Sequence, residues 1–311
     1  MSQEALTDLN NSHVHNPEIE GPLPEGFPNT GREGKVRNIY ISDEEICLIA
    51  SDRVSAFDQV SPTPIPGKGE ILNSIAQQEL LAAESAGIPT WLKYVPENNP
   101  RAAVGIRTEV QPIELIFRNY MTGSMWRGYQ KTGDFGNLGL PEGWKEWQDF
   151  TDRPLFTPSS KSDIKDVYFN PASAEESHNL TGLTVEQIKE LEDIGRSLFA
   201  LGTKRAAERG LILVDTKYEI GLAPDGSLLI IDEVHTPDSS RFLIADGFEQ
   251  TIANGEKPKS LSKEFLREVM LEKADGNEEL AKELMKEPLT PDVVEEVQAR
   301  YVQLQKIFTD L

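Results

Sequence analysis

The sequence contains a single cysteine, Cys47, among its 311 residues. One cysteine cannot form an internal disulfide, and its position in the apolar run ICLIA predicts a buried thiol that does not act as a nucleophile. The sequence also lacks an apolar run long enough to span a bilayer, and its amino-terminal stretch lacks the basic start and apolar middle of a signal peptide. We therefore expect a protein of the cytoplasm with no membrane partner.

Basic residues are few relative to acidic ones: 31 lysines and arginines stand against 52 aspartates and glutamates, for a net charge of −21. Such a surface repels nucleic-acid backbones, which excludes nucleic acid as a general partner. It does not exclude an anionic small molecule, because basic side chains at close range override a screened global field. The content of 38% hydrophobic and 27% charged residues is typical of a globular protein with a sizeable core.

The hydrophobic periodicity predicts a mixture of helices and of sheets built mainly from hairpins. Residues 1–20 are polar and aperiodic, which predicts a loose tail, and the His13-x-His15 pair within it is not expected to bind a metal. Helical patterns cover residues 69–87 and the carboxyl-terminal end. Residues 133–179 show little periodicity and predict a long loop that is functional or mobile.

Charged residues alternate along one predicted strand, LVDTKYEIGL. Asp215, Lys217 and Glu219 share one face of it, because successive side chains of a strand point to opposite faces. The next strand ends at Asp232, and an intervening Asp-Gly pair predicts a two-residue turn that places Glu219 directly opposite Asp232. Facing carboxylates repel unless a cation lies between them, which favours Mg²⁺ with nucleotide phosphates and Lys217 nearby. A surface hairpin in which Lys217 screens its acidic neighbours explains the pattern equally well.

Basic and hydroxyl side chains recur near predicted turns. Lys35 and Arg37 share one face of a strand that follows glycines, where backbone can approach phosphates closely. Three further clusters combine a basic residue with hydroxyl groups: Ser51 with Arg53, Arg118 with Ser124, and Lys161 with Ser159 and Ser160. Such groups hold phosphate or carboxylate, although each cluster alone is more often a turn with a surface charge. His235, which lies close to the carboxylates, either orients a substrate or stabilises a turn.

Seven segments in order, GKVRNIY, SDRVSAFD, IPGKG, RNYMTGSMW, TPSSK, LVDTKYEIG and DEVHTPDSSRF, resemble the SAICAR synthetase family of purine biosynthesis. The resemblance implies an α+β, two-lobed fold of the ATP-grasp and kinase-like kind. A small β-rich amino-terminal lobe would cover residues 21–112, and a larger α/β lobe with a helical carboxyl terminus would cover residues 113–311. The implied activity is an ATP-dependent ligation of L-aspartate to the carboxylate of carboxyaminoimidazole ribonucleotide (CAIR), through an acyl phosphate, to give SAICAR, ADP and phosphate.

The resemblance also assigns roles to residues at the matching motif positions. The implied cofactors are ATP and Mg²⁺. Residues implied to bind the nucleotide are Gly34, Lys35, Val36, Arg37, Lys217 and Glu219. The implied catalytic set is Lys217, Glu219 and Asp232, of which Glu219 and Asp232 are the metal ligands. Residues implied to bind CAIR are Ser51, Arg53, Arg118, Ser124, Lys161, Asp238, Ser240 and Arg241. Asn38 and Asn119 depart from the commonest family residues without removing a charge that the mechanism needs.

Two other functions fit parts of the sequence. A small-molecule kinase on a related fold would consume ATP without needing an amine, and a nucleotide-binding regulator would bind ATP without turnover. The second set of arginine and serine groups disfavours the regulator, because a sensor needs only the phosphate contacts. We expect CAIR and L-aspartate as the small-molecule partners and a monomer as the oligomeric state.

Overall fold

The computed structural model describes residues 12–161 and 166–309. Its strands are β1 (Ser12–Val14), β2 (Thr30–Glu33), β3 (Arg37–Ile41), β4 (Glu45–Ala50), β5 (Ser55–Ala56), β6 (Gln59–Val60), β7 (Leu92–Tyr94), β8 (Ala102–Ile106), β9 (Glu109–Val110), β10 (Ile113–Arg118), β11 (Leu155–Phe156), β12 (Ser159–Ser160), β13 (Leu211–Leu222), β14 (Leu228–Ile231) and β15 (Ser240–Ile244). Its helices are α1 (Pro17–Glu20), α2 (Lys68–Ser85), α3 (Gly123–Thr132), α4 (Ala174–Thr181), α5 (Val185–Ala207), α6 (Phe248–Ala253), α7 (Glu264–Lys273), α8 (Glu278–Leu284) and α9 (Pro291–Thr309). These elements form an α+β fold with two lobes, and the division at residue 112 stays a prediction.

A six-stranded antiparallel sheet, in the order β1-β2-β3-β4-β8-β7, forms the core of the small lobe. Strands β3 and β4 form a hairpin, closed where the amide of Ser42 donates to the carbonyl of Glu45 at 2.9 Å. Tyr40 and Cys47 are fully buried against this sheet. Burial, with a smaller effect of the Glu20 carboxylate, raises the pKa of the Cys47 thiol to about 12. The prediction of a buried thiol is therefore confirmed.

Residues 12–20 are ordered, so the prediction of a loose tail is wrong for this part; residues 1–11 lie outside the described residues. Strand β1 pairs with β2, and α1 follows it. Glu20 is buried, Tyr40 Oη donates to it at 2.6 Å, and His13 Nε2 lies 2.6 Å from it. Burial alone raises the pKa of Glu20, but the hydrogen bonds that it accepts lower the value to about 2. This anchoring carboxylate acts through tertiary contacts that a polar, aperiodic sequence does not reveal.

Strand β13 is the centre of the second sheet, which runs β11-β10-β13-β14 with β9, β12 and β15 attached. A β-bulge between Leu213 and Asp215 interrupts its pairing with β15. Bulges redirect side chains locally, and this one precedes the predicted charged face. Helix α5 lies against β13 and leaves room for a buried imidazole: a Cβ atom at Gly202 would lie 2.2 Å from His235 Nε2.

The loop between β13 and β14 is longer than the sequence predicts. Leu222 pairs with Leu228, so that residues 223–227 form the loop. The carboxylate of Asp225 accepts hydrogen bonds from the Ser227 amide at 2.9 Å and from its hydroxyl at 2.6 Å. An odd number of loop residues shifts the pairing of the two strands by one position relative to a two-residue turn.

The shifted register changes the partner of Glu219. It lies opposite Ile231, and the prediction that it lies directly opposite Asp232 is wrong. Asp232 follows the end of β14 with a φ of 61°, a left-handed conformation that is uncommon for a residue with a side chain. Glu219 and Asp232 nevertheless line the same cleft.

The predicted helices are present as α2 and α9, and both hold the segment after β14. Lys68, at the start of α2, is fully buried, and its Nζ lies 2.8 Å from Asp238 Oδ2. Tyr301 Oη of α9 donates to Asp238 Oδ1 at 2.5 Å. No helix of the described residues is long and apolar enough to cross a membrane. The cytoplasmic location and the monomeric state stay predictions.

Residues 133–179 are only partly a loop. Their described part contains β11, β12 and α4, and residues 162–165 lie outside the described residues. A separate apolar cluster supports the region; its buried members are Met121, Met125, Tyr129 and Phe135. Met121, Met125 and Tyr129 have helical spacing and lie on or just before α3, whereas the residues of 133–179 that pack on them show little periodicity, which is why the sequence predicted only a loop.

Gly202→Ala tests the close approach of α5 to His235. Alanine raises helix propensity by about 1 kcal/mol, whereas a methyl group 2.2 Å from His235 Nε2 overpacks the core, at a cost of about 1–3 kcal/mol. We expect the free energy of unfolding, measured in urea, to fall by about 1–2 kcal/mol. Glu190→Ala, on the exposed face of the same helix, should change it by less than about 0.5 kcal/mol. Equal destabilisation by Gly202→Ala with and without His235→Ala would contradict the clash, since the second background removes the ring.

Candidate active site

A cleft of about 500 Å³ is lined on one side by the turn before β3 and on the other by β10 and β13. The predicted site residues that line it are Lys35, Val36, Arg37, Arg118, Ser124, Lys217, Glu219, Asp232, Asp238 and Arg241. The predicted residues that lie just outside the lining, bonded to residues within it, are Gly34, Ser51, Arg53, Lys161 and Ser240. Residues far apart in the sequence are thus brought together around a single cavity.

Ser51 and Arg53 support the turn that precedes β3. Ser51 Oγ donates to the carbonyl of Val36 at 2.8 Å. Arg53 donates to the carbonyl of Lys35 at 3.2 Å and to that of Gly34 at 3.0 Å. Both side chains therefore hold the backbone of the turn in place beside the cleft, and their direct contact with CAIR stays a prediction.

The two basic residues of this turn have different surroundings. Lys35 pairs with Asp58 at 2.7 Å in an exposed ion pair, which contributes little and exchanges readily for another anion. Arg37 is half-buried between Asp232, at 3.1 Å, and Glu233, at 2.5 Å. Burial alone lowers the pKa of Arg37, but the two carboxylates raise it above its usual range. Arg37 is thus a permanent cation that contacts both acidic residues after β14.

Acidic and basic side chains alternate around the charged face of β13. Lys217 Nζ donates to Glu114 at 2.8 Å and to Glu219 at 2.7 Å, and Lys161 Nζ contacts the second oxygen of Glu219. Burial disfavours the charged forms of both Lys217 and Glu219. The carboxylates of Glu219 and Glu114 nevertheless raise the pKa of Lys217 well above its usual value. Lys217 and Lys161 hold the pKa of Glu219 well below its usual range, also against the effect of burial. Lys217 and Glu219 therefore both stay charged at neutral pH.

Asp232 shows the opposite shift. Burial, with the nearby charges of Glu233 and Glu219, raises the pKa of Asp232, and the attraction of Arg37 only partly offsets them. Trp91 Nε1 donates to the backbone carbonyl of Asp232 at 2.9 Å, which helps to hold its left-handed conformation. The negative charge of this carboxylate is incompletely balanced by the side chains around it.

Glu219 and Asp232 fit a magnesium ion. Mg²⁺ normally takes one or two carboxylates together with phosphate oxygens and water. The raised pKa of Asp232 marks a place where an added cation would relieve carboxylate repulsion. Among the described residues no group of three or more His, Cys, Asp or Glu could hold a metal alone, so nucleotide oxygens would have to complete the coordination. The metal assignment stays a prediction.

Two buried arginines line another part of the cleft, joined by Asp215. Arg118 Nη1 lies 3.0 Å from Asp215 Oδ2, and its Nε donates to Thr157 Oγ1 at 2.9 Å. Arg241 Nη2 lies 3.8 Å from Asp215 and 3.2 Å from Glu264. Carboxylates on one side of each guanidinium fix its orientation while other N–H groups remain for a ligand.

The serines predicted to accompany these arginines differ in position. Ser124 lines the cleft at the start of α3, with its Oγ 3.5 Å from Tyr168 Oη. The preceding Gly123 has a φ of 60°, and a Cβ atom there would lie 2.4 Å from Arg241 Nη2, so that glycine is needed for the arginine to fit. Ser240 instead bonds to the hydroxyl of a β13 threonine at 2.7 Å.

Asp238 lines the cleft, but its carboxylate is engaged within the protein. It contacts Lys68 and Tyr301, and although burial opposes ionisation, Lys68 and Lys263 hold its pKa well below the usual range. A role in holding the surrounding lysines is visible in these contacts. Its predicted contact with CAIR stays a prediction.

His235 is buried away from the cleft. Its Nδ1 lies 2.9 Å from Glu79 Oε2, and its Nε2 lies 2.5 Å from Tyr218 Oη. Glu79 also accepts a hydrogen bond from Arg205 of α5 at 2.7 Å. This network joins α2, α5 and β13 to the segment after β14, which favours the second of the two predicted roles, that of a structural histidine.

The charged residues that line the cleft without a predicted role include Asp58, Glu114, Asp166, Glu233, Lys263 and Arg267. Glu114 lies an even number of positions before Arg118 on β10, and Glu233 follows Asp232 directly, so both had a signal in the sequence. Lys263 and Arg267 lie at the start of a helix of mixed charge. Nothing in their local pattern separates them from a solvated helix face.

The profile of the SAICAR synthetase family matches residues 31–284. A phosphoribosylaminoimidazole-succinocarboxamide synthase of Bacteroides fragilis is 42% identical over 274 residues, which cover 87% of this chain and 84% of that protein.

Solved structures show the same fold. A SAICAR-synthase from Saccharomyces cerevisiae, complexed with SAICAR, has a TM-score of 0.74 and 27% identity and covers 96% of this chain and 99% of its own. A SAICAR synthetase in complex with ADP has a TM-score of 0.65 at 22% identity, over 90% of this chain and 98% of its own, which shows the fold alone. By the profile match over most of its length and by its identity to a full-length relative, the chain belongs to the SAICAR synthetase family.

Proposed function

We propose that this chain joins L-aspartate to the carboxylate of CAIR, with hydrolysis of ATP to ADP and phosphate, to give SAICAR. One observation carries the proposal: a single cleft combines the turn at Lys35, the Lys217–Glu219 pair and two buried arginines. The first two suit a nucleotide triphosphate, and the arginines suit a second anion. The names of the relatives and the SAICAR bound to the yeast protein support the same reaction.

The reaction requires activation of a carboxylate. A carboxylate is a poor electrophile, because an attacking amine would have to expel oxide. A CAIR carboxylate oxygen attacks the γ-phosphorus of ATP, the bond to the β-phosphate oxygen breaks, and ADP leaves. The aspartate amine then attacks the acyl carbon, inorganic phosphate leaves, and the nitrogen loses a proton as the amide forms. No step needs a covalent bond to the enzyme, in agreement with the buried, weakly acidic thiol of Cys47.

Phosphoryl transfer depends mainly on positioning and on charge neutralisation. Lys217 is held by Glu219 and Glu114 in its charged form within the cleft, where it faces the developing phosphate charge. Lys35 lies at the exposed edge and exchanges its contact with Asp58 for phosphate oxygens. Magnesium, when held by Glu219 and Asp232, supplies further neutralisation of the phosphate oxygens.

CAIR is held by the groups around Asp215. Arg118 and Arg241 have guanidinium N–H groups in the cleft, and arginine binds phosphate and carboxylate through paired hydrogen bonds. Ser124 adds a hydroxyl at the start of α3. Because Asp215 and Glu264 hold the guanidiniums in place before the ligand arrives, little side-chain entropy is lost on binding. This orientation presents the carboxylate of CAIR to the γ-phosphate.

The experiment that tests the function is ADP release from the purified protein with Mg-ATP and CAIR, with and without L-aspartate, together with the mass of the product. We expect sustained ADP release only when both CAIR and aspartate are present, because the acyl phosphate turns over only when the amine attacks it. The product should be heavier than CAIR by one aspartate less one water.

Other outcomes of this experiment would identify the rival functions. ADP release at the same rate without aspartate, with a stable phosphorylated product, would replace the ligase by a kinase. ATP binding with no ADP release under any condition would favour a nucleotide-binding regulator.

Asp232→Asn tests the assigned role of the carboxylate after β14. Loss of its charge removes a magnesium ligand, so we expect turnover to fall at least about 100-fold. The folded state already disfavours the charged form of Asp232, and Arg37 retains Glu233 as its partner, so the melting temperature should not fall by more than a few degrees. Initial rates of ADP release and thermal unfolding provide the two measurements. Asp246→Asn, at an exposed position, is the matched control; near-normal turnover of Asp232→Asn would refute the assignment.

A further inference from the structure

The amino-terminal segment of residues 12–20 has no part in the mechanism described above. The family profile begins at residue 31, so this segment lies outside the matched region. Its strand β1 pairs with β2, and β2 pairs with β3, which begins directly after the turn of residues 34–36 at the cleft. The segment therefore forms the edge of the sheet that carries this turn.

Glu20 is the buried centre of the segment, with only 4% of the residue exposed. Tyr40 Oη and the backbone amide of Asn16 donate to its carboxylate at 2.6 Å and 2.9 Å, and His13 Nε2 lies 2.6 Å from it. Burial raises the pKa of Glu20, but hydrogen bonds from these groups and from Asn38 outweigh burial and lower the pKa to about 2. Glu20 is thus charged at neutral pH, and its buried charge requires donors that are fixed in place.

Asn38 lies between Glu20 and Arg53 and is 2% exposed. Its Oδ1 accepts a hydrogen bond from Arg53 Nη2 at 2.8 Å. Its Nδ2 lies 3.1 Å from His13 Nε2 and donates to the carboxylate of Glu20. A carboxamide has one accepting end and one donating end, so the oxygen meets the cation and the NH2 group meets the anion. A side chain that only accepts or only donates would not serve both neighbours.

The other donors of Arg53 hold the turn of residues 34–36. Its Nη2 also donates to the carbonyl of Gly34 at 3.0 Å, and its Nε donates to the carbonyl of Lys35 at 3.2 Å. Because these two carbonyls are successive, the guanidinium fixes the direction of both peptide groups. A series of contacts thus runs from Glu20 through Asn38 and Arg53 to the turn. Neither Glu20 nor Asn38 is among the described residues that line the cleft.

The charges at the two ends of this series match the amide between them. The carboxylate of Glu20 attracts the NH2 group of Asn38, and the guanidinium of Arg53 attracts its oxygen, so both charges favour the same orientation of the amide. Hydrogen bonds to charged groups are about twice as strong as those between neutral groups, and hydrogen bonds in a series strengthen one another. Arg53 is thereby held at the carbonyls of the turn before any ligand binds.

We propose that Glu20 and Asn38 are positioning residues for the nucleotide: together they orient Arg53, and Arg53 orients the turn that contacts the phosphates. The inference rests on the proposed function, because that function assigns the turn to ATP. The arginines that hold CAIR lie on β10 and β15 of the other lobe. A displaced turn should therefore weaken the binding of ATP and leave the binding of CAIR intact.

The test exchanges the chemistry of the two positions. Asn38→Asp removes the donating end of the side chain and places a second carboxylate beside Glu20, and like charges so close together repel. We expect the KM for Mg-ATP, from initial rates of ADP release, to rise about 10-fold. The KM for CAIR should stay within about threefold of that of the unmodified protein, because its arginines share no contact with Asn38.

A second substitution should restore the nucleotide site. Glu20→Gln alone loses a charged acceptor, so we expect the KM for Mg-ATP to rise about 3- to 10-fold. In the double variant Glu20→Gln/Asn38→Asp, the carboxamide at position 20 donates to the carboxylate at position 38, which still accepts from Arg53. The KM of the double variant should therefore lie within about threefold of that of the unmodified protein. Additive effects of the two changes would contradict the coupling.

Asn29→Asp is the matched control, since it adds the same charge at an exposed position just before β2. It should leave the KM values and the melting temperature unchanged. A lower melting temperature of Asn38→Asp with an unchanged KM for Mg-ATP would mean that Asn38 only stabilises the small lobe, and the inference would be wrong. A rise in the KM for CAIR in place of that for Mg-ATP would show that Arg53 serves CAIR, which also overturns the inference.

Equilibrium binding of Mg-ADP, measured by calorimetry, separates the inference from the proposed function because it needs no turnover. The Kd should rise in Asn38→Asp and in Glu20→Gln and return in the double variant. If the Kd values change in this way but the unmodified protein makes no SAICAR, the proposed function alone is refuted. If SAICAR is made but the Kd is the same in folded Glu20→Gln as in the unmodified protein, the inference alone is refuted, whether or not Asn38→Asp folds.

Discussion

The ion pairs from Arg37 to Asp232 and Glu233 join the two lobes, and the geometry of the cleft depends on them. The guanidinium of Arg37 extends from β3 of the small lobe into the cleft. It is held there by Asp232 and Glu233, the two carboxylates that follow β14 in the larger lobe. Charges are costly to remove from water unless they are matched, so removal of Arg37 would leave both carboxylates without their shared cation. Trp91, which donates to the carbonyl of Asp232, supports the same junction from the small lobe. The turn that covers the cleft is thereby placed relative to the strands beneath it.

The second constraint is that the charged face of β13 lines a cleft inside the protein, where charged side chains need partners. Asp215, Lys217 and Glu219 lie on one face of this strand, and β10 provides an oppositely charged partner for two of them: Arg118 for Asp215 and Glu114 for Lys217. The result is a polar cavity whose groups are oriented before any ligand binds. Preorganised charges of this kind cost no rearrangement during the reaction. At Asp232, burial and the neighbouring carboxylates raise the pKa despite Arg37, which makes it a place in the cleft where an added cation would be stabilising.

Much of the site was predictable, because its residues lie on short local patterns. The alternation of β13 placed Asp215, Lys217 and Glu219 on one face, and the hydroxyl and arginine clusters marked turns that do meet at the cleft. The prediction was wrong where local signals compete. An Asp-Gly pair favours a two-residue turn, but the hydrogen bonds that Asp225 accepts from Ser227 support a longer loop, and the pairing moved by one residue. The prediction of a loose tail was wrong for residues 12–20 because their anchor, Glu20, accepts a hydrogen bond from Tyr40, which lies 20 positions later in the chain on β3.

Outside residues 12–20 and 133–179, the sequence by itself determined the main helices and strands, which strand carries charge and which family the chain resembles, because each of these depends on the order and spacing of neighbouring side chains. Tertiary structure alone decided what those charges contact. It placed Lys161 against Glu219, turned His235 inward to Glu79, and brought Lys263 to the cleft. The physical reason is that Coulomb energies and desolvation depend on distance and on exclusion of water in three dimensions. Neither quantity is a property of sequence spacing.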